Sequence, residues 1–297
     1  MRVFVTGASG FVGSAIVKEL LQAGHTVLGL ARTEHAAEKL TQAGAAVHFG
    51  RLEEPESIVS GAIQCDAVIH TAFNHDFTRF QANCEEDRRV ILALGEALAG
   101  SGRPLVITSG IGLLNNFGRL ITETDKPSGP NVSPRAASEA ATEGLVAQGV
   151  NAYILRLPPT VHGQGDHGFV SMLVGIAKEK KESAYPGNGA NRWPAVHRFD
   201  AAVLYRLIIE KQPSLRVFHA VAEEGIPFRE IATAIGEGLG LPVAGKEGAE
   251  AEAHFGWFKH FASMNCAASS ELTRQALGWE TREAGLLEDL VAGGYLA

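Results

Sequence analysis

Cysteine is scarce in this 297-residue chain. Cys65, Cys84 and Cys266 are odd in number and widely scattered, which argues against a disulfide framework and shows no metal-ligand spacing. Positive charge is also in short supply. Lys and Arg total 26 against 33 Asp and Glu, for a net charge of −7. No basic stripe or aromatic–basic interleaving is present, so a polyanion would gain no electrostatic help. No run approaches the roughly 18 uncharged apolar residues of a membrane span. Internal repeats and low-complexity linkers are missing too. The opening MRVFVTGASG passes from a strand-like run to glycines after six residues, unlike a signal peptide. The expectation is a reduced, cytoplasmic setting and a small-molecule substrate, with no nucleic acid, membrane or metal involved.

Hydrophobic residues make up 45% and charged residues 20% of the chain, ordinary values for a globular enzyme. RVFVTG, TVLGLAR, AAVHFG, DAVIHTA, RPLVITSG and VNAYILRLP are short runs rich in Val, Ile and Leu, the mark of strands buried on both faces. Between them, FVGSAIVKELLQAG, HAAEKLTQAG, CEEDRRVILALGEALAG and AASEAATEGLVAQG carry apolar residues at helical spacing and close on glycine. This alternation predicts an α/β fold, a doubly wound parallel sheet with helices on both faces. After residue 157 the rhythm changes. Helices are expected at GFVSMLVGIAKEKK, DAAVLYRLIIEK, PFREIATAIGEGLG and SSELTRQALG, with short strands such as RVFHAV between them. Residues 1–160 therefore read as a nucleotide-binding domain. Residues 161–297 read as a smaller α+β substrate lobe interleaved with the sheet's C-terminal end. GKEGAEAEAHFGWFKHF (245–261) reads as a solvated helix with one packed face, in preference to a binding segment.

The segment VTGASGFVG places Gly7, Gly10 and Gly13 between a strand and an amphipathic helix. One glycine permits the tight turn, one lets backbone approach a pyrophosphate, and one lets the helix pack on the strand. The helix N-terminus then offers free N–H groups to phosphate. Ser9, Phe11 and Val12 complete the loop. The second strand ends in Arg32, 19 residues after Gly13, where an NAD site carries a carboxylate for the ribose hydroxyls. A guanidinium suits a 2′-phosphate instead, so NADP(H) is the expected cofactor. Arg51, ending the third strand beside Leu52, adds a second positive charge.

Taken together, the motifs resemble an extended short-chain dehydrogenase/reductase of the NAD-dependent epimerase/dehydratase kind, built on a Rossmann-type sheet. TGASGFVG resembles that family's T-G-x-x-G-x-x-G and DAVIHTA its D-x-V-x-H-x-A strand. RLPPTVHGQGD, AVHRFDAA and ALGW resemble further segments in the family's order. The resemblance implies cofactor contacts from Thr71, Ala72, Phe73, Thr108 and Pro158. It also implies a Ser, Tyr and Lys catalytic set, and here the sequence departs. One alignment of PRAASEAATE puts Asn131 at tyrosine, Arg135 at lysine and Glu139 at a trailing glutamate. The other puts Arg135 at tyrosine and Glu139 at lysine. Ser109 stands one residue before the serine position, which holds Gly110. The chain thus resembles the atypical subgroup that lacks Tyr-x-x-x-Lys. Family dimers pair the helices that follow the fourth and fifth strands, here about 84–100 and 133–148, which implies a homodimer.

With tyrosine absent, proton transfer falls to histidine, whose ordinary pKa is near neutral. The candidates are His75, after the fourth strand, and His162, in the TVHG segment. Asn131 and Ser109 are hydrogen-bond donors to substrate oxygen, and Arg135 is a cation for the nicotinamide ribose and the developing oxyanion. His25, His48 and His70 read as structural. The substrate mouth is expected at the strands' carboxyl ends, framed by Asn74, Phe77, Leu113, Phe117, His167, Arg192, Trp193 and His197. These residues favour a small, partly apolar substrate. The leading expectation is an NADP(H)-dependent oxidoreductase that reduces a carbonyl. An epimerase or dehydratase of the same fold and a non-catalytic NADP-binding sensor are the alternatives.

Overall fold

The computed structural model describes residues 1–115, 117–127, 133–292 and 294–296. The aliphatic runs become β1 (Arg2–Thr6), β2 (Thr26–Ala31), β3 (Ala46–Phe49), β4 (Ala67–His70), β5 (Leu105–Gly110) and β6 (Ala152–Leu157). Their crossovers carry α1 (Phe11–Gln22), α2 (Glu34–Gln42), α3 (Pro55–Ala62), α4 (Phe80–Leu98) and α5 (Ala136–Ala147). The chain continues through β7 (Thr160–His162), α6 (Phe169–Lys180), β8 (Ser183–Pro186), β9 (Arg192–His197), α7 (Arg198–Lys211), β10 (Val217–His219) and β11 (Glu223–Pro227). It ends with α8 (Phe228–Leu239), β12 (Val243–Lys246), α9 (Gly248–Phe255), α10 (Lys259–Ala262), α11 (Glu271–Leu277) and α12 (Leu286–Ala292).

Among the described residues the large sheet has seven strands in the order β10-β6-β5-β4-β1-β2-β3, every pair parallel. Side chains alternate across it as the strand period requires. Val3 and Val5 join Ile16 and Leu20 of α1 and Tyr205 and Ile208 of α7 in one core. Phe4, between them, joins Ile58 of α3, Val90 and Ile91 of α4 and Leu145 of α5 in the other. Each such aliphatic side chain contributes about 1.5–3 kcal/mol on burial. Strand order reverses between β1 and β4, which opens a crevice at their carboxyl ends, the usual ligand position in open α/β sheets.

The second lobe is built on the small sheets β11-β9-β7 and β12-β8 around a third core. The chain leaves that lobe to place β10 beside β6 and α7 against α1, so the two regions interleave beyond residue 160. Three local expectations are corrected. A helix forms at Pro55–Ala62, where only Ile58, Gly61 and Ala62 are buried; it is too short for periodicity to reveal, although proline in its first turn is a start signal. α4 begins at Phe80, four residues before the first expected helical position. The 245–261 segment is not one helix. Gly256, at φ +54°, ends α9, and a short 3₁₀ turn (Gly256–Phe258) follows. Trp193, expected at the substrate mouth, is also corrected. It is fully buried, with ring centroids 4.8 Å from Phe228 and 6.0 Å from Phe169, because an inward position on β9 places a large apolar ring in the core.

Candidate active site

The glycine loop after β1 has the shape of a phosphate cradle. Gly7 adopts φ +65°, and a Cβ there would lie 2.6 Å from Thr71 Oγ1 and 2.9 Å from Ala72 N. At Gly13 a Cβ would fall 2.0 Å from the Gly7 carbonyl oxygen, so only glycine lets α1 approach β1 this closely. Gly10 is exposed, and a Cβ on it would meet only the Gly7 carbonyl, at 3.1 Å. The space outside Gly10 is therefore open, at a helix N-terminus that no side chain caps. Ser9, Phe11 and Val12 line the loop, each partly exposed. This cradle fits a dinucleotide pyrophosphate. At the end of β2, Arg32 is exposed and makes no hydrogen bond or ion pair with the described residues. Arg51 is exposed as well, 3.8 Å from Glu54. Leu52, Thr71, Ala72 and Phe73 are partly exposed in the loops after β3 and β4, whereas Pro158 is buried just beyond β6.

Behind the crevice runs a chain of polar contacts linking four elements. Thr6 Oγ1 accepts from the Thr71 and Ala72 amides at 3.1 and 3.2 Å, so its own proton goes to His70 Nδ1 at 2.8 Å. His70 must then carry its hydrogen on Nε2, which donates to Asp87 Oδ1 at 3.0 Å. Asp87 Oδ2 accepts from Ser138 Oγ at 2.5 Å and from Arg135 at 2.6 Å. Arg135 also donates to Ser138 Oγ and, at 2.9 Å, to the Thr108 carbonyl, and it stacks 4.4 Å above the Phe73 ring. Burial alone would push the Asp87 carboxyl up. Arg135, then His70 and Ser138, outweigh burial and hold it down at about 2. Arg135 is thereby fixed at the crevice, its side chain 16% exposed.

The loop after β4 is pinned from beneath. Buried Asn83 donates to the carbonyls of Asn74 and Asp76 at 3.2 and 2.8 Å, and Asp76 caps the turn that presents Phe77. His75, held between those two carbonyls, packs edge-on to Phe73 at 5.3 Å and still reaches solvent. Burial among its neighbours, then the positive charges of Arg135 and His167, lower its pKa below 6.5, which a bond to the Phe73 backbone only partly offsets. Asn74 turns its side-chain oxygen to the Asp76 amide. Leu113 is partly exposed in the turn after β5, and His167 packs edge-on to Phe11 at 5.9 Å.

Other expected site residues are placed differently. Ser109 donates its hydroxyl to Glu139 at 2.6 Å, and Glu139 forms a buried two-pronged pair with Arg156. Ser109 thus faces the helix layer with its proton already committed. Glu139 is likewise turned away from the crevice and cannot stand in for a ribose-facing cation. His162 is buried, with Nδ1 2.9 Å from Asp289, and its ring packs on His197, itself buried beside Phe199. The short β7 and β9 turn both histidines into the second lobe. Arg192 is exposed and donates to the Gly225 carbonyl at 3.3 Å. Asn131 lies outside the described residues.

Asp87, Ser138 and Asn83 were not anticipated, although Asp87 left a signal. It shares a helical stripe with Cys84, Val90, Ile91 and Leu94, all buried, and a carboxylate on an apolar stripe requires a buried partner.

Known proteins share this architecture. A model of the NAD dependent epimerase/dehydratase family matches residues 3–220. An uncharacterized protein of Schizosaccharomyces pombe is 51% identical over 99% of this chain and 100% of its own length. The decarboxylating sterol-4-alpha-carboxylate 3-dehydrogenase of Dictyostelium discoideum is 26% identical over 78% of this chain and 74% of its own. The structure of UDP-glucose 4-epimerase with UDP-glucose from Thermotoga maritima superposes with TM-score 0.77 at 20% identity, covering 100% of this chain and 98% of that one. The match spans the glycine cradle, the crevice and the helices that hold Arg135, so this chain belongs to the NAD dependent epimerase/dehydratase family.

Proposed function

We propose that the protein is an NADP(H)-dependent oxidoreductase that reduces the carbonyl of a small, partly apolar substrate. The observation that carries this reading is Arg135, fixed by Asp87 and the Thr108 carbonyl at the crevice and stacked on Phe73 beside solvent-reaching His75. Gly7, Gly10 and Gly13 would hold the pyrophosphate, and unpaired Arg32 suits a 2′-phosphate. When bound, the reduced nicotinamide supplies the two electrons and the hydrogen that reach carbonyl carbon. Arg135 offsets the negative charge that grows on the carbonyl oxygen, acting as a preorganised donor that needs no reorientation. Protonated His75 gives its proton to that oxygen, completing the alcohol, and recovers one from water at the exposed edge of its ring. The Phe73 and Phe77 rings exclude water from the reacting carbonyl. The Dictyostelium relative is named as a dehydrogenase of a sterol carboxylate, a largely apolar ring system bearing one acid group, which supports redox chemistry on a partly apolar substrate.

The test is NADPH oxidation followed by absorbance against a panel of aldehydes and ketones. Steady consumption with at least one apolar carbonyl is the expected result. NADP binding by calorimetry without turnover on any member would replace this reading with a non-catalytic sensor.

A further inference from the structure

Three tryptophans are present, and they are treated very differently. Trp193 and Trp279 are 0% and 2% exposed, whereas Trp257 is 60% exposed. The left-handed backbone at Gly256 reverses the chain so that Phe255 and Phe258 on either side are buried while the indole turns outward. It does not stand alone. The Trp257 ring lies 5.6 Å from Phe77 with the planes 33° apart, and 5.9 Å from Phe261 in an edge contact. Phe77 belongs to the loop after β4, and Trp257 to the second lobe. The contact therefore joins the two sides of the crevice. From Phe77 ring contacts pass to His75 at 6.4 Å and on to Phe73 at 5.3 Å, where the Arg135 guanidinium stacks.

A large exposed ring linked through Phe77 to His75 calls for a reason, since isolated exposed apolar residues are common but aromatic walls at a cleft are not. The wall is mostly ring surface: Arg135 and His75 stand at its inner end, exposed His260 packs beside Phe261 at 5.5 Å, and Lys259 is engaged by Glu252 at 2.5 Å. A planar apolar group would gain offset or edge contacts with Trp257 and Phe77. We infer that Trp257 and Phe77 form the recognition wall for the substrate, which carries a planar one- or two-ring apolar group next to its carbonyl. This inference rests on the carbonyl-reductase reading for the orientation of that carbonyl, but ring binding at Trp257 is measurable without turnover.

The experiment labels the protein with 5-fluorotryptophan and follows three ¹⁹F resonances, the Trp257 signal being assigned by its loss in Trp257→Phe. The probes are 2-acetonaphthone and acetone, each added to the NADP⁺-loaded protein. The naphthyl ketone should shift the Trp257 resonance and leave Trp193 and Trp279 in place, while acetone shifts none. In NADPH assays, Trp257→Ala should raise KM for 2-acetonaphthone roughly tenfold with kcat little changed, and Trp257→Phe should restore most of the affinity. A Trp257 resonance that ignores the naphthyl ketone overturns the inference, whether or not the ketone is reduced. A resonance that moves with protein concentration alone also overturns it, and marks a self-association face. If the resonance shifts but no ketone consumes NADPH, the wall stands and the reductase reading falls.

Discussion

Arg135 and Asp87 meet at 2.6 Å, the carboxylate almost wholly buried and the guanidinium reaching the crevice surface. The pair joins α5 to α4 and, through His70 and Thr6, both helices to the first strand. Asp87→Asn should therefore lower stability by roughly 3 kcal/mol, because it leaves Arg135 without its counter-charge. Chemical denaturation at neutral pH measures the loss, and a variant as stable as wild type would show that the pair is energetically idle.

The same carboxylate predicts an acid limb. Its folded pKa, about 2, lies below the ordinary 3.8. A depressed carboxylate contributes stability that is fully present above its unfolded pKa and lost as pH falls through the folded one. Wild-type stability should thus decline between about pH 4 and pH 2, by about 2 kcal/mol from this group. Asp87→Asn should remove that part of the decline. Parallel pH–stability curves for the two proteins would refute the assignment.

Cofactor choice is tested at Arg32. Exposed and unpartnered, it is free to meet a phosphate at the end of β2. NADPH should bind at least about tenfold more tightly than NADH, and Arg32→Asp should reverse that order. Calorimetry giving equal affinities for wild type would remove the 2′-phosphate reading.

The glycine loop separates folding from binding. Gly13→Ala drives its Cβ to 2.0 Å from the Gly7 carbonyl, a backbone atom that cannot step aside. It should cost several kcal/mol, of order 2–4, as overpacking at a strand–helix contact. Gly10→Ala brings its Cβ to 3.1 Å from the same carbonyl, a tight contact rather than an overlap, so it should cost much less stability than Gly13→Ala yet weaken NADPH binding about tenfold or more by occupying the pyrophosphate side. If Gly10→Ala bound NADPH normally, the cradle would be assigned to the wrong glycine.

What the sequence disclosed follows from how local each signal is. Alternating aliphatic strands and the glycine spacing are carried by consecutive residues, so the sheet, the glycine turn after β1 and the place of Arg32 at the end of β2 were legible in order. Arg135 was legible as a cation. Its anchors were not, because Asp87 lies 48 residues away in sequence, and only the fold brings it near. Ser109 and His162 were misjudged for the opposite reason. Their residue types suited chemistry, but a buried glutamate and a buried aspartate had already engaged them. Trp193 and Trp257 both stood in aromatic, glycine-containing stretches. Strand pairing placed one in the core, and Gly256 turned the other out.

The remaining prediction concerns the proton. Between the two histidines first considered, His75 has solvent access and stands beside the Arg135–Phe73 stack, whereas His162 is enclosed with Asp289. His75→Gln should reduce reductive turnover by roughly 100-fold or more, the usual contribution of a positioned acid. Arg135→Ala should cost a similar factor through loss of oxyanion stabilisation. His162→Gln should lower thermal stability and leave kcat within a few-fold of wild type. The pH profile supplies an independent check. Carbonyl reduction needs the protonated imidazole, and burial together with the charges of Arg135 and His167 holds that pKa below 6.5. The wild-type rate should therefore already be falling with rising pH on the acid side of 6.5, and the decline should vanish in the residual activity of His75→Gln. Full turnover in His75→Gln, or a profile unchanged by it, would move proton delivery to bound water held near Arg135.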